Sequence, residues 1–183
     1  GCCCTMRTFI AVELPDEIKR DVDAYVDTIK QDFGRNIKWV KPENLHLTIK
    51  FLGEAGKDTL SDVEQSVGEA VAGIDPFTIR LSHLGAFPSP EKPRVLWLGT
   101  DGGEDVLLDI YQDLESRLED AGFDRDSKPF SPHLTIGRVR RNCTVTMPER
   151  YAEFDAVDFE VNGLAVVKSR LTPDRSEEHT SEL

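Results

Sequence analysis

The sequence predicts an α+β fold, in which two pseudo-symmetric lobes of antiparallel sheet and helices enclose a central cleft. Three observations carry this expectation. Strand-like apolar runs are interspersed with three helical stripes. Several connections between the strands look like meanders or hairpins. The tetrapeptide His-Leu-Thr-Ile occurs once in each half, at His46 to Ile49 and at His133 to Ile136.

Met6 to Glu13 is an apolar run suited to a buried strand, and Pro15 then opens a pattern with Ile18, Val22, Tyr25, Ile29 and Phe33 at helical spacing. Gly34 ends that helix. A short strand at Ile37 to Val40 leads through Pro42 and Asn44 into Leu45 to Phe51. There Leu45, Leu47, Ile49 and Phe51 alternate with His46, Thr48 and Lys50, which makes one face core and the other polar. After Gly53 and Gly56 a second helix buries Leu60, Val63, Val67, Val71 and Ile74. Phe77 to Leu84 and Val95 to Thr100 read as strands around a Pro-rich loop from Phe87 to Pro93, long enough to overhang a site. A third helix runs from about Glu104 to Ala121 with Leu107, Ile110, Leu114 and Leu118 inward, stopped by Gly122. Pro132 to Val139 and Phe159 to Lys168 complete the set of strands.

With 183 residues and 39% hydrophobic content, the chain can bury one sizeable core or two small lobes packed together. It is treated as a single bilobal unit over residues 6–174. Gly1 to Thr5 precede Met6 and read as upstream sequence or a cloning scar, and residues 175–183 resemble a translated sequencing adapter, which discounts His179. Cys2, Cys3 and Cys4 are adjacent and cannot converge on one tetrahedral ion as a spaced pair does, and Cys143 has no evident partner. No run approaches the roughly 18 consecutive apolar residues of a membrane span, so a monomeric cytoplasmic protein without membrane contact is expected. The net charge of −12 argues against a broad basic surface gripping many phosphates, and any nucleic-acid contact should be small and local.

A repeated tetrapeptide in a chain of this size arises by chance on the order of one time in ten, so the weight rests on context. Both copies lie on expected strands with His and Thr on the polar face, and both follow a proline within a few residues. Two half-domains related by an approximate two-fold bring both imidazoles to one cleft. Two imidazoles brought to one cleft can serve as an acid and a base near neutral pH. The threonine two positions after each histidine shares its strand face, so the hydroxyls of Thr48 and Thr135 can donate to a group held between the rings.

These segments resemble the two-histidine phosphoesterase superfamily, marked by paired His-x-Thr-x motifs, and within it the RNA 2′,3′-cyclic phosphodiesterase branch, also known as 2′-5′ RNA ligases. The resemblance takes in Met6 to Val12, Trp39-Val40, His46 to Glu54, Gly85 to Pro88, Pro93 to Trp97, His133 to Arg138 and Lys168 to Pro173. It implies a metal-independent, cofactor-free hydrolase that acts on an RNA with a 2′,3′-cyclic phosphate end, with reversible 2′-5′ ligation as a related activity. It further implies that His46 is the proton donor and His133 the proton acceptor, which leaves a 2′-phosphate; the residues alone do not assign the two roles. The family's arginine after the second motif matches Arg138. Strict alternation puts Arg138 on the face opposite His133, so it reaches the cleft only if Gly137 marks a bulge or the strand ends there. Lys50 has the right parity and is a second candidate, and Phe9 and Arg7 can approach the terminal base, Phe9 having an equally good core reading.

Plainer readings accompany these. Thr48 and Thr135 also suit strands as β-branched residues, His83 reads as structural, and Trp39 and Trp97 as packing of the core or its edge. Neither motif has the spacing that supplies two metal ligands from one element, so no metal site is expected. Alternative functions are a phosphodiesterase for small cyclic nucleotides or 2′-5′ oligonucleotides, and a non-catalytic RNA-end binder, which has no need for a matched acid and base.

Overall fold

A computed structural model describes residues 6–147, 153–171 and 176–182. The elements run β1 (Met6–Glu13), α1 (Asp16–Phe33), β2 (Ile37–Trp39), a 3-10 turn (Pro42–Asn44), β3 (His46–Ala55), α2 (Lys57–Val71), β4 (Phe77–Pro88), β5 (Pro93–Thr100), α3 (Glu104–Asp120), β6 (His133–Val139), β7 (Glu153–Val161), β8 (Ala165–Leu171) and β9 (Ser176–Glu182). Cys2, Cys3, Cys4 and the family-like Thr172-Pro173 lie outside the described residues. The segment read as adapter-like contributes the edge strand β9, antiparallel to β8.

The described strands form one curled antiparallel sheet in the order β7-β4-β5-β6-β3-β1-β8-β9, with β2 also on β6. Its two halves, β7-β4-β5-β6 and β3-β1-β8-β9, meet through a single antiparallel pair, Leu47 with Leu134. Both leucines are fully buried, and each sits at the second position of its His-Leu-Thr-Ile motif. The α+β architecture with two related halves is therefore present, and its pseudo-two-fold runs between the motif strands.

The helices pack on the sheet face that buries the motif leucines and isoleucines. α1 begins with Asp16 and Glu17 and carries Lys30 in its last turn, charges that complement the helix dipole. Its buried stripe is Ile18, Val22, Val26, Ile29 and Phe33, with Tyr25 meeting Phe154 of β7 edge-on at 4.9 Å. Gly34, at φ +58°, supplies the left-handed residue that ends it. α2 and α3 lie on the other half, where Glu64 of α2 pairs with Lys168 of β8 at 3.1 Å. Buried side chains from all three helices and both sheet halves join in one apolar cluster.

Three boundaries differ from the sequence reading. The strand expected at Phe159 to Lys168 is two strands, split by a turn at Asn162-Gly163 whose dipeptide is itself a turn signal. β7 borders β4 and β8 borders β1, so that turn carries the chain from one half to the other. The Pro-rich loop shrinks to residues 89–92 because β4 continues to Pro88 and β5 starts at Pro93, which makes Phe87 a strand residue. Ile74 lies beyond the end of α2 and is exposed, not part of its buried stripe.

Leu47 and Leu134 are fully buried where β3 meets β6, so truncating either removes core packing at the joint between the two halves. Leu134→Ala should lower unfolding free energy by about 2–5 kcal/mol. Urea denaturation monitored by circular dichroism measures this as a fall in the midpoint at constant slope.

Candidate active site

Counting antiparallel from the Leu47 to Leu134 pair sets His46 opposite Thr135 and Thr48 opposite His133. Each histidine thus has its own motif's threonine two residues along and the other motif's threonine across the strand gap. All four line one cleft of about 650 Å³, together with Phe9, Phe51, Phe87, Lys128 and Arg138.

The two imidazoles are held in the same way. His46 Nδ1 donates to the carbonyl of Asn44 at 3.1 Å, and His133 Nδ1 donates to the carbonyl of Ser131 at 2.8 Å. A carbonyl only accepts, so each Nδ1 carries the proton and each neutral ring has Nε2 as its basic nitrogen. Aromatic edges fix the ring planes: Phe9 meets His46 at 5.6 Å and Phe87 meets His133 at 5.0 Å. Burial holds the His46 pKa below the ordinary imidazole value, the Lys19 ammonium pushes it the same way, and the Asn44 carbonyl opposes both.

Matching bulges set the facing of the residues just past each motif. β1 pairs Ile10 with Lys50 and Ala11 with Thr48, skipping Ile49; β5 pairs Leu96 with Gly137 and Trp97 with Thr135, skipping Ile136. The extra residue is in both cases the motif isoleucine, buried against the helices. One inserted residue reverses the alternation. Arg138 therefore reaches the cleft despite its even-odd position, with the bulge at Ile136 rather than at Gly137. Phe51, read from the sequence as core, is its counterpart in the other half and is 68% exposed in the cleft wall. Strict alternation hid Phe51; only the bulge, which the sequence does not mark, turns it outward.

The same reversal buries Lys50, which is 3% exposed. Its ammonium pairs with Glu115 of α3 at 2.5 Å and with Asp126 at 3.1 Å, and donates to the Asp124 carbonyl at 3.0 Å. Glu115 in turn accepts from the Asp126 backbone N–H at 2.9 Å, and Tyr111 donates its hydroxyl to Asp126 at 2.7 Å. Lys50 borders the cleft, but its charge is spent on tethering the 124–132 loop that forms the cleft wall and leads into His133. Gly137 takes the equivalent place in the other half, where a Cβ would fall 2.8 Å from Ile37 and 3.0 Å from Trp39 of β2. The cleft cations without an ion pair among the described residues are Lys128 and Arg138. No group of three or more His, Cys, Asp or Glu side chains converges as a metal site among the described residues.

The model of the LigT like phosphoesterase family matches this chain twice, over residues 12–97 and 98–176. Each match contains one His-Leu-Thr-Ile strand, so the repeat that organises the cleft is also the repeat that the family model detects. The chain belongs to the LigT like phosphoesterase family. Among relatives of this phosphoesterase, a protein from Archaeoglobus fulgidus named RNA 2′,3′-cyclic phosphodiesterase is 36% identical over 170 residues, covering 92% of this chain and 93% of its own. One of the same name from Methanocaldococcus jannaschii is 32% identical over 173 residues, covering 92% and 94%. The crystal structure of a Thermus thermophilus protein superposes with a TM-score of 0.81 at 30% identity, covering 97% of each chain. That of E. coli LigT in its apo form gives 0.78 at 25% identity, covering 98% of this chain and 96% of that one.

Two consequences of this phosphoesterase geometry are measurable. Lys50→Ala leaves Glu115 buried without its cation and should destabilise the fold by about 3–5 kcal/mol, whereas Lys50→Met with Glu115→Leu should recover most of that loss; chemical denaturation of the three chains compares them. In a proton NMR titration, the His46 Cε1–H midpoint should lie below the ordinary imidazole value and move up in Lys19→Gln. The sign follows from charge: removing a nearby cation favours imidazolium. Because the unfolded chain protonates this histidine first, folding stability contributed by neutral His46 is lost as pH falls from the ordinary value to the depressed one.

Proposed function

We propose that this phosphoesterase hydrolyses the 2′,3′-cyclic phosphate at the end of an RNA to a 2′-phosphomonoester, using His46 as acid and His133 as base. The observation that carries the reading is the matched pair of histidines: both line one cleft, both have Nδ1 tied to the backbone carbonyl two residues earlier, and both leave Nε2 free. In-line displacement at phosphorus needs an acid and a base on opposite sides of the reacting atom. The names of the archaeal relatives and the double family match support the choice of substrate.

In this mechanism the phosphorus lies between the rings. His133 Nε2 takes a proton from water as the water oxygen bonds to phosphorus. His46, as imidazolium in the substrate complex, gives its Nε2 proton to the ribose 3′ oxygen as the bond from phosphorus to that oxygen breaks, and is left neutral with its proton on Nδ1. Hydroxyls of Thr48 and Thr135 donate to the non-bridging oxygens, and the Arg138 guanidinium offsets the charge that builds on them. Phe9, beside His46 and 5.8 Å from Phe51, offers an apolar wall to the terminal nucleoside. Burial and Lys19 disfavour imidazolium at His46, and an anionic phosphate entering the cleft opposes them by favouring the charged ring that the acid role needs. No residue in this scheme calls for a metal ion or cofactor.

An oligoribonucleotide ending in a 2′,3′-cyclic phosphate, incubated with the protein in excess EDTA and followed by phosphorus NMR, tests the scheme. The expected product is the 2′-phosphate, with the rate reduced about 10²–10⁴-fold in His46→Ala and in His133→Ala. A 3′-phosphate product reverses the proposed regiochemistry, and turnover that survives both substitutions, or that needs added metal, rejects the mechanism.

A further inference from the structure

The two-histidine site leaves unused a row of rings that continues from it along β4 and β5. Phe87 touches His133; Trp97 lies 5.0 Å from Phe87 with an interplanar angle of 38°; and His83 meets Trp97 at 5.6 Å and 80°. Two glycines make this arrangement possible. A Cβ on Gly85 would fall 2.3–2.7 Å from three atoms at the outer edge of the Trp97 indole, and one on Gly99 would fall 2.4 and 2.5 Å from Cε1 and Nε2 of His83. The indole and the imidazole thus occupy the space that side chains on the neighbouring strand would fill, so they lie across the sheet. His83 and Phe87 remain exposed and Trp97 half-buried.

Core packing does not account for this row. Its rings face the cleft side, away from the apolar cluster beneath the helices, and Trp97, which the sequence placed in the core or at its edge, has a buried indole N–H without a hydrogen-bond partner among the described residues. Burying that donor unpaired costs stability, a cost that phenylalanine at the same position avoids. Charge supplies the complementary reason. With a net charge of −12 and only Lys128 and Arg138 as unpaired cations in the cleft among the described residues, the protein has little Coulombic grip on a phosphate backbone. Aromatic rings hold nucleobases without it and do so for any sequence, because every base has a π face.

We propose that His83, Trp97 and Phe87 form a stacking platform for the bases of a single-stranded RNA whose cyclic end sits between His46 and His133. This rests on the cleft's reading as a cyclic-phosphate site and deepens it: the substrate class is an oligoribonucleotide, held by its bases, and not a free cyclic mononucleotide.

Two measurements test this separately from turnover. In a Trp39→Phe, His46→Ala, His133→Ala chain, Trp97 is the only tryptophan and the RNA is not cleaved. Its emission should be quenched on titration with an oligoadenylate tetramer ending in a 2′,3′-cyclic phosphate and changed little by 2′,3′-cyclic AMP at the same concentration. In the active protein, kcat/KM should favour the tetramer over the mononucleotide by about tenfold or more, and this preference should collapse towards unity in Trp97→Leu, fall in the exposed variant His83→Ala, and return largely in Trp97→Phe. Equal quenching by both ligands, or a preference unchanged in Trp97→Leu and His83→Ala, overturns the platform. Absence of turnover on both substrates with intact quenching by the tetramer overturns the hydrolytic reading and leaves the platform standing.

Discussion

One backbone pair between two buried leucines governs the geometry of this phosphoesterase. β3 and β6 lie side by side in the sheet and, among the described residues, bridge only at Leu47 and Leu134, the point where the two halves of the chain are related. Because antiparallel pairing fixes what lies on either side of a bridge, that contact alone sets His46 against Thr135 and His133 against Thr48. A slip of one residue in either strand would turn that strand's histidine toward the helices and its leucine into the cleft. The apolar cluster under the sheet holds the register, since only one registry buries Leu47, Ile49, Leu134 and Ile136 together.

The paired bulges add a second level of control. Without them each motif strand would continue its alternation and send Lys50 and Gly137 to the cleft while burying Phe51 and Arg138. A buried arginine without a partner is far more costly than a buried isoleucine, so placing the extra residue at Ile49 and Ile136 lets the strand present a third side chain to the site while keeping the core apolar. The two halves then diverge in what they present, an aromatic ring from one and a guanidinium from the other.

Electrostatics in the cleft follow from this divergence. Lys50, turned inward, is neutralised by Glu115 and Asp126 and ties β3 to the loop that delivers His133, so the two histidines are linked by a polar tether as well as by the sheet. The surface of β4 and β5 beyond His133 carries aromatic rings. The proposed function is compatible with a net charge of −12 through this division: a small cationic contact where the reacting phosphate would lie, and aromatic rings beside it.

Much of this was legible in the residues. The helical stripes of α1, α2 and α3, the strand at Met6 to Glu13, and the placing of each His and Thr of the motifs on one strand face depend on periodicity, which is a local property of the chain. The repeat of His-Leu-Thr-Ile likewise pointed to two related halves and to a shared cleft. What periodicity could not reveal was where it is interrupted. Ile49 and Ile136 look like ordinary core positions, and their bulges exist because of the partner strands β1 and β5, so the outward turn of Phe51 and Arg138 and the inward turn of Lys50 were decided by tertiary pairing. Trp97 and His83 belong to the same class: whether an aromatic ring lies in the core or across a glycine on the next strand depends on residues that only the sheet brings beside it. Sequence determines the alternation of each strand; its neighbours determine where that alternation breaks.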